Sequence, residues 1–231
     1  MKPSSDDSPN TSRNTSDPVP EYKVWQLQKH ADALLAAAFS SGYPIPVEIE
    51  NVAYHLGLDI APIPGLRQSC DVVGALYRDP EGRYWVAVDE HMMDYRENRY
   101  RFTVAEEIAH FVLHRDQIEK ATDIAGAIAL QRRLRERYRF TESNARRLAA
   151  EMLMPRRALR EDLAKAYAEV VGVAGFRNFE AVAKHVTDVL RRRYVVSHET
   201  MRYQLRTHEF QAYEAMREAV RRQSPTLRRD T

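Results

Sequence analysis

In the stretch Arg99-Tyr-Arg-Phe-Thr-Val-Ala-Glu-Glu-Ile-Ala-His-Phe-Val-Leu-His114, apolar residues recur every three or four positions, which predicts a helix. The apolar positions are Val104, Ala105, Ile108, Phe111 and Val112. The same stretch carries four side chains that can transfer protons or bind a metal: Glu106, Glu107, His110 and His114. We therefore treat it as the motif helix of the chain.

Part of the motif helix matches a metal-binding pattern. Glu107-Ile-Ala-His110 corresponds to the second half of His-Glu-x-x-His, in which two histidines hold zinc and the glutamate is the general base. Glu106 stands where that pattern has its first histidine, and it lies one turn before His110 on the same helix face. The spacing predicts a metal site with a third ligand from elsewhere. Glu142, which begins a later predicted helix, is the best candidate.

Each of these residues also has a structural interpretation. Thr103-Val-Ala-Glu106 fits a capping box, in which Glu106 would only satisfy the backbone at a helix start. That alternative weakens if the helix begins upstream, near Arg96. Glu107 and His110 can also belong to an ordinary polar face. For His114 we favour a packing or surface role over metal ligation.

Composition narrows the class of protein. The formal net charge of +2 is too small to indicate a nucleic-acid-binding protein by itself. The single cysteine, Cys70, excludes an intrachain disulfide framework and a cysteine-rich zinc site. The sequence has no apolar run of membrane-spanning length, and its N-terminus has no signal-peptide core. We expect a cytoplasmic protein without a membrane partner.

The pattern along the chain predicts an α+β fold. Residues 1–21 are polar and are expected to be disordered. Helices precede a small antiparallel sheet of about three strands within residues 58–88, where Asp79-Pro-Glu-Gly82 indicates a turn. Residues 115–128 lack a clear pattern and are predicted to be a loop with some helix. Helical patterns resume at Thr141 and continue to Arg222, and residues 223–231 are expected to be a frayed tail.

Three blocks of the sequence resemble the ImmA/IrrE-type metallopeptidases. Residues 101–114 are similar to that family's core, Arg-Phe-Thr-Leu-Ala-His-Glu-x-Gly-His-x-x-x-His. Glu142-Ser-Asn-Ala-Arg-Arg-Leu-Ala-Ala-Glu-Met-Leu-Met-Pro155 is similar to the family block Glu-x-x-Ala-Asn-x-Phe-Ala-Ala-Glu-Leu-Leu-Met-Pro. Residues 46–57 resemble the family's Pro-Val-x-x-x-x-Ile-Ala-x-x-Leu-Gly helix. The resemblance covers residues 22–160, which we take as the metallopeptidase domain.

The resemblance implies a compact zincin-like α+β domain with a zinc ion. Carried over by position, it makes Glu107 the general base and His110 and Glu142 metal ligands. Glu106 departs from the family pattern at the first histidine. A Glu-His-Glu ligand set favours metals that prefer oxygen ligands, so manganese or iron is an alternative to zinc. Arg146 stands where the family usually has asparagine, which is the second departure.

The resemblance further implies a protein partner, such as a helix-turn-helix repressor whose cleavage derepresses stress or mobile-element genes. Two functions follow. The first is a metal-dependent endopeptidase in which Glu107 activates metal-bound water. The second is a catalytically impaired relative that binds a repressor or toxin in the same cleft. Glu106 favours the catalytically impaired relative. The presence of Glu107, His110 and Glu142 together favours the endopeptidase. From the sequence alone, we favour the enzyme slightly.

The C-terminal segment, residues 161–222, is predicted to be helical. Within it, residues 179–210 form a helix, a short turn and a helix, similar to a helix-turn-helix unit, with Ser197 as an N-cap. Arg202 and Arg206 alternate with apolar residues there. The segment is therefore either a basic element that contacts DNA or a DNA-binding partner, or a basic helix packed on the core. We favour packing.

Overall fold

Helices surround a three-stranded sheet, which confirms the α+β class. The computed structural model describes residues 19–137, 140–171, 179–207 and 211–223. The strands are β1 (Leu58–Ile63), β2 (Gly74–Arg78) and β3 (Tyr84–Asp89). The helices are α1 (Val24–Ala38), α2 (Ile49–His55), α3 (Leu66–Cys70), α4 (Glu90–Tyr95), α5 (Glu97–Ile118), α6 (Ile124–Arg137), α7 (Thr141–Leu153), α8 (Arg156–Val171), α9 (Phe179–Tyr194), α10 (His198–Arg206) and α11 (Ala212–Gln223).

The sheet is mixed, with β3 in the centre. β2 and β3 form the expected antiparallel pair, whereas β1 pairs with β3 in parallel, so the prediction of an antiparallel sheet was wrong for β1. The hairpin is encoded locally, because the Asp79 carboxylate accepts a hydrogen bond from the Arg83 N–H and Gly82 has a φ of 90°. The direction of β1 depends on the crossover through α3, and the strand pattern carries no information about it.

The sheet separates a large core from a small one. Val86 and Val88 of β3 face the large core, while Ala87 between them faces the small core, as strand alternation requires. The motif helix α5 packs against β2 and β3 and against α7. Buried alanines on α5 and α7, including Ala105 and Ala149, allow the two helices to approach closely.

The motif helix begins before Thr103, at which the capping-box alternative would have it start. α5 begins at Glu97, with Arg96 at its N-cap, so Thr103 and Glu106 lie inside the helix and that alternative was wrong. The helix has a non-helical residue at His114 (φ −134°, ψ 23°) and continues to Ile118. α6 then begins at Ile124, so most of the predicted loop at residues 115–128 is helical. Ala127, Ile128 and Leu130 of α6 pack in the small core, a tertiary contact that the sequence pattern did not reveal.

The structure describes only the inner parts of the two tails that were predicted to be disordered or frayed. Residues 1–18 of the expected disordered tail lie outside the described residues. Val19 is buried, and the Pro20 carbonyl accepts a hydrogen bond from Asn144 Nδ2 at 2.9 Å. At the other end, Gln223 closes α11, and the remaining residues of the expected frayed tail lie outside the description. The predicted boundary between residues 160 and 161 stays a prediction.

None of the described helices is both long and apolar enough to span a lipid bilayer.

Candidate functional site

The motif helix buries three of its four candidate site residues. Glu107, His110 and His114 are each no more than 7% exposed, whereas the Glu106 side chain is about one-fifth exposed. The four residues span little more than two helical turns, and α5 alone places Glu106 and His110 one turn apart on the same side. The site is therefore a partly covered cluster of polar groups on one helix rather than an exposed polar face.

α7 brings Glu142 to His110, as the sequence predicted. Glu142 lies in the first turn of α7, and its Oε1 atom is 3.7 Å from His110 Nε2. Two ligands of a tetrahedral zinc ion at bond lengths near 2.0–2.1 Å are about 3.4 Å apart. The separation of His110 and Glu142 therefore suits a pair of ligands to one metal ion.

The two departures from the family pattern contact each other. Arg146, one turn after Glu142 on α7, donates a hydrogen bond from Nε to Glu106 Oε1 at 3.0 Å. Its Nη2 atom also lies 4.0 Å from Glu142 Oε2. A guanidinium group thus bridges the two carboxylates that the sequence assigned to the metal. Arg146 was noted in the sequence only as an unusual residue, and its pairing with Glu106 depends on the packing of α5 against α7.

Glu107 lies beneath α6. Gln131 of α6 donates from Nε2 to Glu107 Oε1 and to the Gly74 carbonyl, each at 3.3 Å. Gly74 also allows close contact on the strand side, because a Cβ atom there would lie 2.4 Å from Thr103 Cγ2 and 3.0 Å from Glu107 Oε1. Neither Gln131 nor Gly74 was identified as a site residue from the sequence. The one available signal was a glycine within a predicted strand, which often marks a close approach of another part of the chain.

His114 is buried next to His110, and the packing role that the sequence favoured for it stays a prediction. Its Nδ1 atom is 3.1 Å from His110 Nδ1, so one of the two nitrogens donates the hydrogen bond. Burial, together with the neighbouring His110, lowers the pKa of His114 to about 3. His114 is therefore neutral at physiological pH, and it orients the His110 ring.

The fit of a metal ion is incomplete. His110 and Glu142 suit it, but Glu106 is bonded to Arg146. Within the described ranges, no three histidine, cysteine, aspartate or glutamate side chains form a group that could hold a metal ion. Because a zinc site needs at least three protein ligands, these residues do not fit a bound zinc ion in this arrangement.

The C-terminal helices pack on the rest of the fold. The Ser197 hydroxyl caps α10 as predicted, accepting a hydrogen bond from the Thr200 N–H at 3.0 Å. Gln204 of α10 donates to Glu151 of α7 at 3.1 Å. In the basic end of α9, Arg191 pairs with Asp188 at 2.7 Å. The Gln204–Glu151 contact, together with Met201 and Leu205 of α10 in the large core, supports the packing interpretation of the segment.

The family model described as IrrE N-terminal-like domain matches residues 72–206, more than half of the chain. The chain belongs to the ImmA/IrrE peptidase family. The match begins just before β2 and ends with α10, so it contains the motif helix, α7 and the first C-terminal helices. No curated protein sequence matches the chain.

Proposed function

We propose that this ImmA/IrrE chain acts by binding a regulatory protein in the cleft beside its motif helix, and that it does so without hydrolysing that protein. One observation carries the proposal: a glutamate, Glu106, stands at the position of the family's first histidine, and its carboxylate is bonded to Arg146. His110 and Glu142 remain as the two side chains positioned for a metal. Two protein ligands are fewer than stable zinc sites use.

The glutamate at position 106, in place of a histidine, weakens zinc binding more than the Glu106–Arg146 ion pair does. The Arg146 side chain is 63% exposed, and such surface pairs stabilise by about 1 kcal/mol at most. A metal that displaced Arg146 would lose only about fivefold in affinity. Removing Arg146 alone should therefore not create a zinc site, whereas replacing Glu106 with an imidazole should matter far more.

Zinc binding measured by isothermal titration calorimetry tests the proposal. The wild-type chain and Arg146→Asn should bind no stoichiometric zinc, and the double variant Glu106→His/Arg146→Asn should bind one zinc ion. Arg147→Asn is the matched control, because Arg147 neighbours Arg146 on α7 but contacts Glu21 at 3.9 Å. One zinc, manganese or ferrous ion bound tightly by the wild-type chain or by Arg146→Asn would refute the proposal.

The partner we propose is a DNA-binding repressor or a comparable regulatory protein in the cytoplasm. Its support is the family membership together with the sequence resemblance. A cytoplasmic location agrees with a chain that has a single cysteine, Cys70. We propose no direct contact between this chain and nucleic acid, since the described C-terminal helices pack on the core.

A metal-dependent endopeptidase is the second candidate, and the 3.7 Å separation of His110 and Glu142 favours it. In that function Glu106 would leave Arg146 and join them as a ligand to zinc, manganese or iron, and Glu107 would be the general base. Glu107→Gln separates the candidates. If the wild-type chain cleaves a bound repressor and this variant binds without cleaving, the chain is an enzyme; if neither cleaves, binding is its activity.

A further inference from the structure

A cavity of about 1170 Å³ opens next to the Glu106–Arg146 pair. It lies between α1, α7 and α10, and the Phe102 side chain of α5 contributes to its wall. Glu142 and Arg146 line it at the end nearest the motif helix. The volume is that of a site for a peptide segment or a large ligand, since drug-sized ligand pockets span roughly 300–1,000 Å³.

One part of the cavity lining is apolar. Val24 and Leu27 come from α1, Phe102 from α5 and Ala150 from α7. Leu27 and Ala150 are buried, so they form a fixed surface rather than mobile side chains. An apolar surface of this kind favours a ligand with a large apolar side chain.

The α10 side of the cavity is aromatic and basic. Arg202, Tyr203 and Arg206 line it, and Tyr203 is 60% exposed. Tyrosine and arginine are the residue types enriched among binding hot spots in protein interfaces. Trp25, which follows the cavity residue Val24, is also exposed. The composition indicates a protein partner rather than a small metabolite.

The charges around the cavity select an acidic ligand. Arg146 already pairs with Glu106 and Glu142, whereas Arg202 and Arg206 form no ion pair with any residue in the described ranges. The remaining acidic residues of the lining are Glu199, beside Arg202, and Glu151.

Glu151 contributes little opposing charge. Its side chain is buried and accepts a hydrogen bond from Gln204, and burial raises its pKa. Its negative charge is therefore weakened relative to an exposed glutamate. Arg147 contacts Glu21, so its charge is partly compensated, but Arg202 and Arg206 still outweigh Glu199 and the open side of the cavity is positively charged.

We propose that this cavity is a docking site for an acidic segment of a protein partner, with an apolar side chain on Val24 and Phe102, which are partly exposed, and carboxylates on Arg202 and Arg206. The proposal rests on the proposed function, because it names the surface and the partner chemistry through which the chain binds. At the open side, the carboxylates of the partner would form charge-assisted hydrogen bonds with the arginine side chains. Deeper in the cavity, the contacts would be apolar.

Fluorescence anisotropy with two synthetic peptides tests the proposal. The acidic probe is fluorescein-labelled Asp-Glu-Asp-Leu-Trp-Glu-Asp-Glu, and the control probe replaces every acid with its amide. The wild-type chain should bind the acidic probe at least about tenfold more tightly. Arg202→Glu/Arg206→Glu should lose about tenfold or more in affinity, while Arg192→Glu/Arg221→Glu, with the same charge change at exposed positions on α9 and α11, should keep it.

Other results overturn the docking proposal. Equal binding of both probes, or equal losses in the two double variants, would mean that the cavity does not select acidic segments. Displacement of the probe by a DNA duplex of about 20 base pairs, with DNA binding lost in the Arg202/Arg206 variant, would make the surface a nucleic-acid site. If the charge reversal unfolds the chain, Arg202→Gln/Arg206→Gln gives the same comparison. Zinc binding by the wild-type chain would refute the proposed function and leave this result unaffected.

Discussion

The close approach of β2 to the motif helix predicts that Gly74→Ala is strongly destabilising. A Cβ atom at position 74 would lie 2.4 Å from Thr103 Cγ2, more than 1 Å inside an ordinary carbon–carbon contact of about 3.5–4.0 Å. Thr103 is buried and its β-branched side chain has little rotamer freedom, so it cannot easily move aside. The strand and the helix must separate instead.

Overpacking of this kind costs about 1–3 kcal/mol. For a chain of this length, a loss near 2 kcal/mol lowers the melting temperature by about 4–8 °C. Thermal unfolding followed by circular dichroism, combined with urea titration, measures the change. Gly126→Ala provides a contrast, because its nearest new contact is the Asp123 side chain at 3.1 Å and alanine favours the helix. That variant should be as stable as the wild-type chain or more stable.

The cause of the Gly74→Ala effect can be isolated with Thr103→Ser, which removes Cγ2 and keeps the hydroxyl. In the Thr103→Ser background, Gly74→Ala should recover at least half of the lost stability. If the two substitutions are additive, the clash with Thr103 is not the cause and the reasoning is wrong. A Gly74→Ala variant as stable as the wild-type chain would refute the close approach itself.

Three further predictions concern hydrogen bonds of polar side chains. Gln131→Glu should be less stable than Gln131→Ala at pH 8, because a second carboxylate would face Glu107 without a donor; urea unfolding of both variants measures this. Burial raises the folded-state pKa of Glu151, so as pH rises the unfolded chain loses this proton first and the wild-type chain loses stability. Glu151→Gln should therefore gain relative stability from about pH 4.5 upwards in urea titrations. Ser197→Ala should cost about 1 kcal/mol, with Ser197→Thr nearer wild type in thermal unfolding.

The parts of the fold that sequence predicted are those encoded by local patterns. The motif helix follows from its apolar spacing, and the β2–β3 hairpin follows from the turn residues after Asp79. Ser197 was identified as an N-cap because that residue type satisfies free backbone N–H groups at a helix start. The capping-box alternative for Glu106 failed because the sequence between Arg96 and Thr103 is also compatible with helix.

The sequence predicted the approach of Glu142 to His110, but it predicted neither Gln131 beside Glu107 nor the pairing of Glu106 with Arg146. Spacing and family resemblance predicted that Glu142 lies near His110, and the two side chains are 3.7 Å apart. Gln131 was missed because α6 belongs to a stretch with little periodic pattern, and its position depends on packing in the small core. The assignment of Glu106, Glu107, His110 and Glu142 to metal binding or catalysis stays a prediction.

By itself, the sequence determined the α+β class, the polar residues of the motif helix and the departures at positions 106 and 146. Only the tertiary structure decided that β1 runs parallel to β3, that α6 covers Glu107, and that Glu106 bonds to Arg146. The physical reason is common to all three. Local spacing fixes which face of an element a side chain occupies, but its partner is set by how distant elements pack, and Glu106 and Arg146 are 40 residues apart.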